Sequence, residues 1–312
     1  MATIDSARPS PEQFLSLIRR QERGRLKVYL GSAAGVGKTF AMLREGHRLK
    51  QQGLDVAIGL VETHGRAETA EQIGDLEVIP ARTIEYRGVT LREMDLDAIL
   101  ARKPAVCLVD ELAHTNAPGS RHPKRYQDVE DLLRAGIHVI TTVNVQHLES
   151  LYDEVERATG VKVKERLPDR VLAEADQIVN TDLSAEDLLD RLKAGKVYPP
   201  DRAERALEHF FTPANLTRLR EITLTEVAHL IDRRTRRAEA DQAPLSATER
   251  VMVGLSSLSP NAPALLRKAA RLADRLNAPW YAVYIQTPAE DLTRIDAATQ
   301  RAVGKNLELA QQ

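Results

Sequence analysis

Residues 26–43 read LKVYLGSAAGVGKTFAML, and the fold is decided there. An apolar run, 26–31, leads into a turn of small residues and then into a helical pattern. Strand, glycine-rich turn and helix, in that order, let successive backbone N–H groups curl around phosphate oxygens, with the positive end of a helix beginning near Lys38 behind them. Ala34, Gly35, Val36 and Gly37 form the loop, and glycine at 35 and 37 lets the backbone approach a ligand without side-chain clashes. Lys38 is placed to reach the β- and γ-phosphates, and the Thr39 hydroxyl to ligate Mg2+. The strict G-x-x-x-x-G-K-[ST] spacing would start at position 32, which is Ser32, whereas Gly31 lies one residue earlier. Either the loop is one residue longer, or Ser32 takes the first turn position with some strain.

The stretch AVCLVDEL (105–112) supplies the second half of the site. It reads as a buried strand whose carboxyl end carries two acids. Asp110 is expected in the Mg2+ shell, and Glu111 is the candidate catalytic residue, orienting or deprotonating an attacking water. The bland alternative is an Asp-Glu pair that merely ends a strand. The following loop, AHTNAPGSRHPKR (113–125), holds Arg121, His122, Lys124 and Arg125. It can close over a γ-phosphate, contact a partner, or be only a charged surface loop. His114, His122 and His147 lack metal-ligand spacing, which argues against zinc.

Outward from these motifs, apolar runs at 55–62, 138–145 and 177–182 read as further strands. Helical spacing of apolar residues marks 40–52, 95–103, 126–136, 148–160 and 185–195. Residues 77–95 add a short strand or hairpin. Strand–helix alternation of this kind predicts an α/β fold, a parallel sheet with helices on both faces. From Asp201 to about Arg237 the pattern is helical only, ending in RRTRR (233–237), which reads as a solvated helix end rather than a lipid-binding patch. A polar linker at 238–247 and a fresh β-α-β pattern over 248–312 follow, with too few strands for a complete open sheet.

With 44 basic and 45 acidic residues, net charge creates no global attraction to nucleic acid or acidic membrane, and no aromatic stacking platform for bases is evident. No run approaches the ~18 apolar residues of a membrane span, and the N-terminus (1–21) reads as a polar arm without secretory-signal order, so the chain is expected to be cytoplasmic. The single cysteine, Cys107, lies within an apolar strand and reads as a buried, unreactive thiol.

Five blocks carry a more specific likeness: GSAAGVGKTFAML (31–43), VETHGRAET (61–69), VDELAHTNAPGSRHPKRYQDVEDLLRAGIHV (109–139), TTVNVQHLESL (141–151) and FFTPANLTRLRE (210–221). In this order they closely resemble the N-terminal cytoplasmic sensor region of the KdpD family, the potassium- and turgor-responsive membrane histidine kinases of bacteria, over about residues 22–235. The glycine spacing at 31–37 also resembles that family's own form of the loop. The resemblance implies a P-loop NTPase-like domain that binds ATP and Mg2+ and regulates an attached kinase core. It implies that the tail is a truncated stress-protein-like α/β domain, followed in a longer parent protein by membrane helices and the kinase. Without a phospho-acceptor helix, this polypeptide is expected to act as an input module and not to phosphorylate itself on histidine.

In the tail, Ser257 and Ser259, then Trp280, Ala282 and Tyr284, are similar to the S-x-S…F-T-A-x-Y pattern by which some relatives bind cyclic di-AMP, although Tyr281 stands where Thr is expected. Other relatives dock a soluble universal stress protein there. The bland reading is a buried strand and a strand-end loop. The enzyme alternative for the whole chain is a stand-alone P-loop ATPase or small-molecule kinase with Glu111 as base.

Overall fold

The computed structural model describes residues 23–198, 207, 210–240, 250–256, 261–276, 278–285 and 296–311. In chain order its elements are β1 (Leu26–Gly31), α1 (Lys38–Gln51), β2 (Val56–Leu60), α2 (Ala67–Glu71), β3 (Glu77–Val78), β4 (Arg82–Tyr86), β5 (Val89–Glu93), α3 (Leu96–Arg102) and β6 (Val106–Val109). They continue with α4 (Arg125–Arg134), β7 (His138–Asn144), α5 (Tyr152–Thr159), α6 (Asp169–Ala173), β8 (Gln177–Thr181), α7 (Ala185–Lys193) and α8 (Pro213–Ala240). The last elements are β9 (Val251–Leu255), α9 (Ala262–Leu276), β10 (Trp280–Tyr284) and α10 (Ala297–Gln311).

Six strands form one sheet in the order β3-β2-β6-β7-β1-β8, and the β2–β3, β2–β6 and β6–β7 pairs are parallel. The α/β expectation therefore holds. The period-2 alternation of strands explains why both faces are covered. Ile58 and Leu108 join Tyr29, Met42 and Leu43 in a core cluster beneath α1. Their neighbours Gly59 and Cys107 face the other way, and a Cβ on Gly59 would meet Cys107 Sγ and Ile99 Cδ1, both at 2.7 Å. Ile99 belongs to α3, which Asp95 caps by accepting the Ala98 N–H at 3.0 Å. Each fully buried Leu or Ile contributes roughly 1.5–3 kcal/mol. Burial pushes the Cys107 thiol up to about 12, so it stays a protonated core side chain.

The 77–95 stretch forms β3 and an antiparallel hairpin, β4–β5, in a sheet of its own. Two expectations shift. The helix expected over 148–160 begins as two 3-10 turns, Val145–His147 and Glu149–Leu151, and becomes α-helical only at Tyr152. Glu149 N bonds Leu167 O at 3.0 Å and Ser150 N bonds Asp169 Oδ2 at 2.9 Å, so these donors leave the helical pattern. The helix ending at 237 in the sequence reading instead runs on to Ala240.

Packing divides the chain into two units. The first runs to Tyr29 and includes Lys38–Val143 and Ala175–Val179; the second holds Leu30–Gly37, Asn144–Glu174 and the residues from Asn180 on. In the second, β9 and β10 pair in parallel and pack Leu255, Ala262 and Leu266 with Val253, Trp280 and Tyr284. No described helix is long and apolar enough to cross a membrane.

Candidate functional site

In the first unit, Asp110 follows β6 directly and is 1% exposed. Its carboxylate accepts the Thr39 hydroxyl at 3.0 Å, the Glu62 N–H at 3.3 Å, the Glu111 N–H at 3.1 Å and the Thr142 hydroxyl. These groups come from α1, the end of β2, β6 and β7, which converge because parallel strands place their carboxyl ends on one edge. Burial raises the Asp110 pKa against the opposing hydroxyl bonds. Lys38, at the start of α1, is also buried, and burial pulls its ammonium down to about 8 although Asp110 and Glu111 favour the charge. The first turn of α1 contains no acidic residue to offset the helix's positive end. A hydroxyl, a carboxylate and an ammonium are thus held together in a desolvated setting, a donor set suited to a hard divalent cation and a phosphate.

Glu111 takes left-handed backbone, φ 56°, and its side chain meets His64 Nε2 at 2.9 Å; His64 is left-handed too, φ 51°. Burial pushes the Glu111 pKa up, but the His64 hydrogen bond and the charges of His64 and Arg125 outweigh it and hold the carboxyl below its ordinary value. The hydrogen bond to Glu111 raises the His64 pKa.

Arg125, His64, Thr142 and Glu93 complete this constellation; of the four, the sequence singles out only Arg125, within the charged 113–125 loop. Arg125 is 1% exposed; its Nη1 donates to Asp110 O at 3.0 Å and its Nη2 lies 3.4 Å from Glu93 Oε2. Glu93 accepts the Ala117 N–H at 2.8 Å and lies 3.1 Å from His114 Nε2. Arginine is almost never fully buried without a role in pairing. The 113–125 loop is pinned by its own polar groups: Asn116 to Asp128, His122 to Asp131, Arg121 to Asp97 and Lys124 to Thr115.

In the second unit, the glycine-rich turn is left-handed at Gly35, φ 89°, and Gly37, φ 100°. Ser32 has no positive φ, so a glycine there is not required and the strain considered at that position is absent. Ala33 and Val36 are buried with Leu188, Leu192, Val197, Phe211 and Leu216, and Ala34 packs against the same cluster. Arg191 Nη1 donates to Gly35 O at 3.3 Å. Helices α7 and α8 therefore position this turn.

Of the tail residues singled out in the sequence, Ser257 and Ser259 lie outside the described residues. Trp280, Ala282 and Tyr284 share one side of β10 against the local core, whereas Tyr281 is half exposed. The Tyr284 hydroxyl is buried with no hydrogen-bond partner among the described residues.

Fold and strand-end constellation together define a parallel α/β domain with a glycine-rich strand-to-helix turn. Residues 22–231 match the family described as KdpD, osmosensitive K+ channel His kinase sensor domain, and the chain belongs to that family. It is 50% identical to the sensor protein KdpD of Escherichia coli K12 over 98% of its own length and 34% of that protein's. A Synechocystis sp. relative is 48% identical, over 88% of this chain and 74% of the other. The sensor protein KdpD of Mycobacterium tuberculosis H37Rv is 47% identical, over 85% of this chain and 31% of that one. The chain thus spans about a third of the length of the Escherichia coli and Mycobacterium relatives.

Proposed function

We propose that the chain is the ATP-binding regulatory input region of a longer sensor histidine kinase that controls potassium-uptake genes under potassium limitation or osmotic stress. One observation supports the nucleotide reading above the others: the Thr39 hydroxyl meets the buried Asp110 carboxylate at 3.0 Å, directly after a turn left-handed at two glycines. In this reading Ala34–Gly37 present backbone N–H groups to phosphate, Lys38 neutralises it, and Thr39 and Asp110 hold Mg2+. The metal supplies charge neutralisation along the phosphates. Membrane helices and a kinase core of the parent protein would receive the signal on the cytoplasmic side.

Residues 22–237 would form the P-loop sensor domain and 248–312 a partial universal-stress-protein-like domain. Cyclic di-AMP, at Ser257, Ser259, Trp280 and Tyr284, or a soluble universal stress protein, would be the second input. The orphaned Tyr284 hydroxyl is the observation that favours a polar ligand there.

Isothermal titration with ATP-Mg2+ and with cyclic di-AMP tests the two inputs separately. Lys38→Ala should weaken ATP by roughly a hundredfold, about 3 kcal/mol. Undiminished ATP binding by that variant would sink the nucleotide reading. Lys38-dependent phosphate release would instead favour the enzyme alternative, with Glu111 as base.

A further inference from the structure

Five cationic side chains line one groove of about 530 Å3 in the second unit: Arg157 of α5, Arg218 of α8, and Lys268, Arg271 and Arg275 of α9. Glu154 is the one carboxylate among the described residues of that lining. In a chain whose 44 basic and 45 acidic residues nearly cancel, this density is local. Glu154 is divided between two guanidinium groups, 3.2 Å from Arg218 Nη2 and 2.7 Å from Arg271 Nη1. Arg218 also binds Glu221 at 2.9 Å, and Arg157 Nε donates to the neutral carbonyl of Asp153 at 3.1 Å. Lys268 and Arg275 are exposed and make no ion pair with a described residue.

The rotation of α9 sets this surface. Arg267 is 7% exposed and grips Asp153 through two nitrogens, each at 2.8 Å, with Glu149 at 3.1 Å. With Arg267 held inward, Lys268, Arg271 and Arg275, at spacings of three and four, share the outward face. Like charges at those spacings repel one another, so the face is relieved by an anion it attracts.

We propose that this groove binds a small anion carrying two or more phosphate groups. Guanidinium forks match phosphate oxygens bidentately, and the volume lies in the range of small-molecule sites. Ala158 and Leu272 add an apolar wall, and no described lining residue is aromatic. Recognition therefore rests on phosphate and not on base stacking. Free oligophosphates and anionic lipid headgroups offer the same chemistry, and the site shares no residue with the glycine-rich turn.

The whole chain is titrated with inorganic pyrophosphate and, separately, sedimented with phosphatidylcholine vesicles with and without cardiolipin, whose headgroup carries two phosphates. Pyrophosphate binding should persist in Lys38→Ala and weaken about tenfold or more in Lys268→Ala/Arg275→Ala. The melting temperature should be unchanged, because neither side chain is paired with a described residue. Arg157→Gln, on a different helix, should weaken the same binding roughly threefold to fivefold. Vesicle binding that needs cardiolipin and is lost in the double variant identifies a headgroup as the source. Binding that Lys38→Ala abolishes, binding that survives the double variant intact, or no binding of either probe overturns the proposal.

Discussion

His64 Nε2 lies 2.9 Å from Glu111 Oε1, and both residues hold left-handed backbone, at φ 51° and 56°. Such a conformation costs a non-glycine residue roughly 1–2 kcal/mol. Two of them in hydrogen-bond contact mark the edge beside Asp110 as a place where local preference yields to tertiary arrangement. The Glu111 carboxylate is charged and engaged, so a role as base requires it to leave His64. Binding alone requires no such step.

The pair predicts a pH window. His64 is raised above its ordinary 6.5, so its contribution is fully present below about 6.5 and is lost as pH rises through the raised value. Glu111 is lowered below its ordinary 4.5, so its contribution is present above that value and lost as pH falls through the lowered one. Both side chains are partly exposed, at 44% and 39%, and screening limits the pair to about 0.5 kcal/mol. His64→Gln should destabilise by that amount near pH ~6 and by nothing near pH ~9. A constant offset across urea denaturation curves at both values would exclude the electrostatic account.

Arg125 ties Asp110 O to Glu93, and both side chains are buried. Removing Arg125 leaves the buried Glu93 carboxylate only His114 and the Ala117 N–H, and frees the Asp110 carbonyl of its guanidinium donor. Arg125→Met should therefore cost about 3–5 kcal/mol of unfolding free energy. Arg125→Met/Glu93→Gln should recover part of the loss, a coupling read from a double-mutant cycle in denaturant. Strict additivity would show that the two residues do not act together.

Asp128 is 4% exposed and accepts Asn116 Nδ2 at 2.6 Å, and burial pushes its pKa up to about 6. The folded chain therefore binds this proton more tightly than the unfolded one. The contribution favours folding most below the ordinary 3.8, declines as pH rises to about 6, and is flat above. Asp128→Asn removes the decline and should gain on the order of 1–2 kcal/mol at pH ~7 relative to pH ~4, measured against wild type. Parallel pH–stability profiles for the two proteins would contradict this.

Gly35 combines φ 89° with a seat where a Cβ would lie 2.5 Å from Val197 Cγ2. Gly35→Ala should lower the melting temperature and weaken ATP binding through both effects, roughly 2–4 kcal/mol together. Val197→Ala in that background should relieve the steric part and leave the backbone part. Full rescue would show that left-handed strain at this position is negligible.

Much of this is legible in the amino-acid sequence itself. Strand runs at 26–31, 105–110 and 138–145 match β1, β6 and β7 within a residue, because burial on both faces writes continuous apolar runs into central strands, and 177–182 matches the less buried edge strand β8 equally closely. Lys38, Thr39 and Asp110 were likewise marked by a strand–turn–helix order and by acids after an apolar run. His64 and Thr142 are not, since their partners lie 47 and 32 residues away and periodicity carries no information at that range.

The chain alone determined which segments become strands, where glycine must stand in the turn and which family the blocks belong to, since each depends on neighbours a few residues apart. Tertiary structure alone decided that Glu111 is held by His64, that Ser32 needs no left-handed backbone, and that three cations of α9 face Arg157 and Arg218. Those outcomes depend on which distant charges and hydroxyls the sheet order and helix rotation bring within a hydrogen bond's reach.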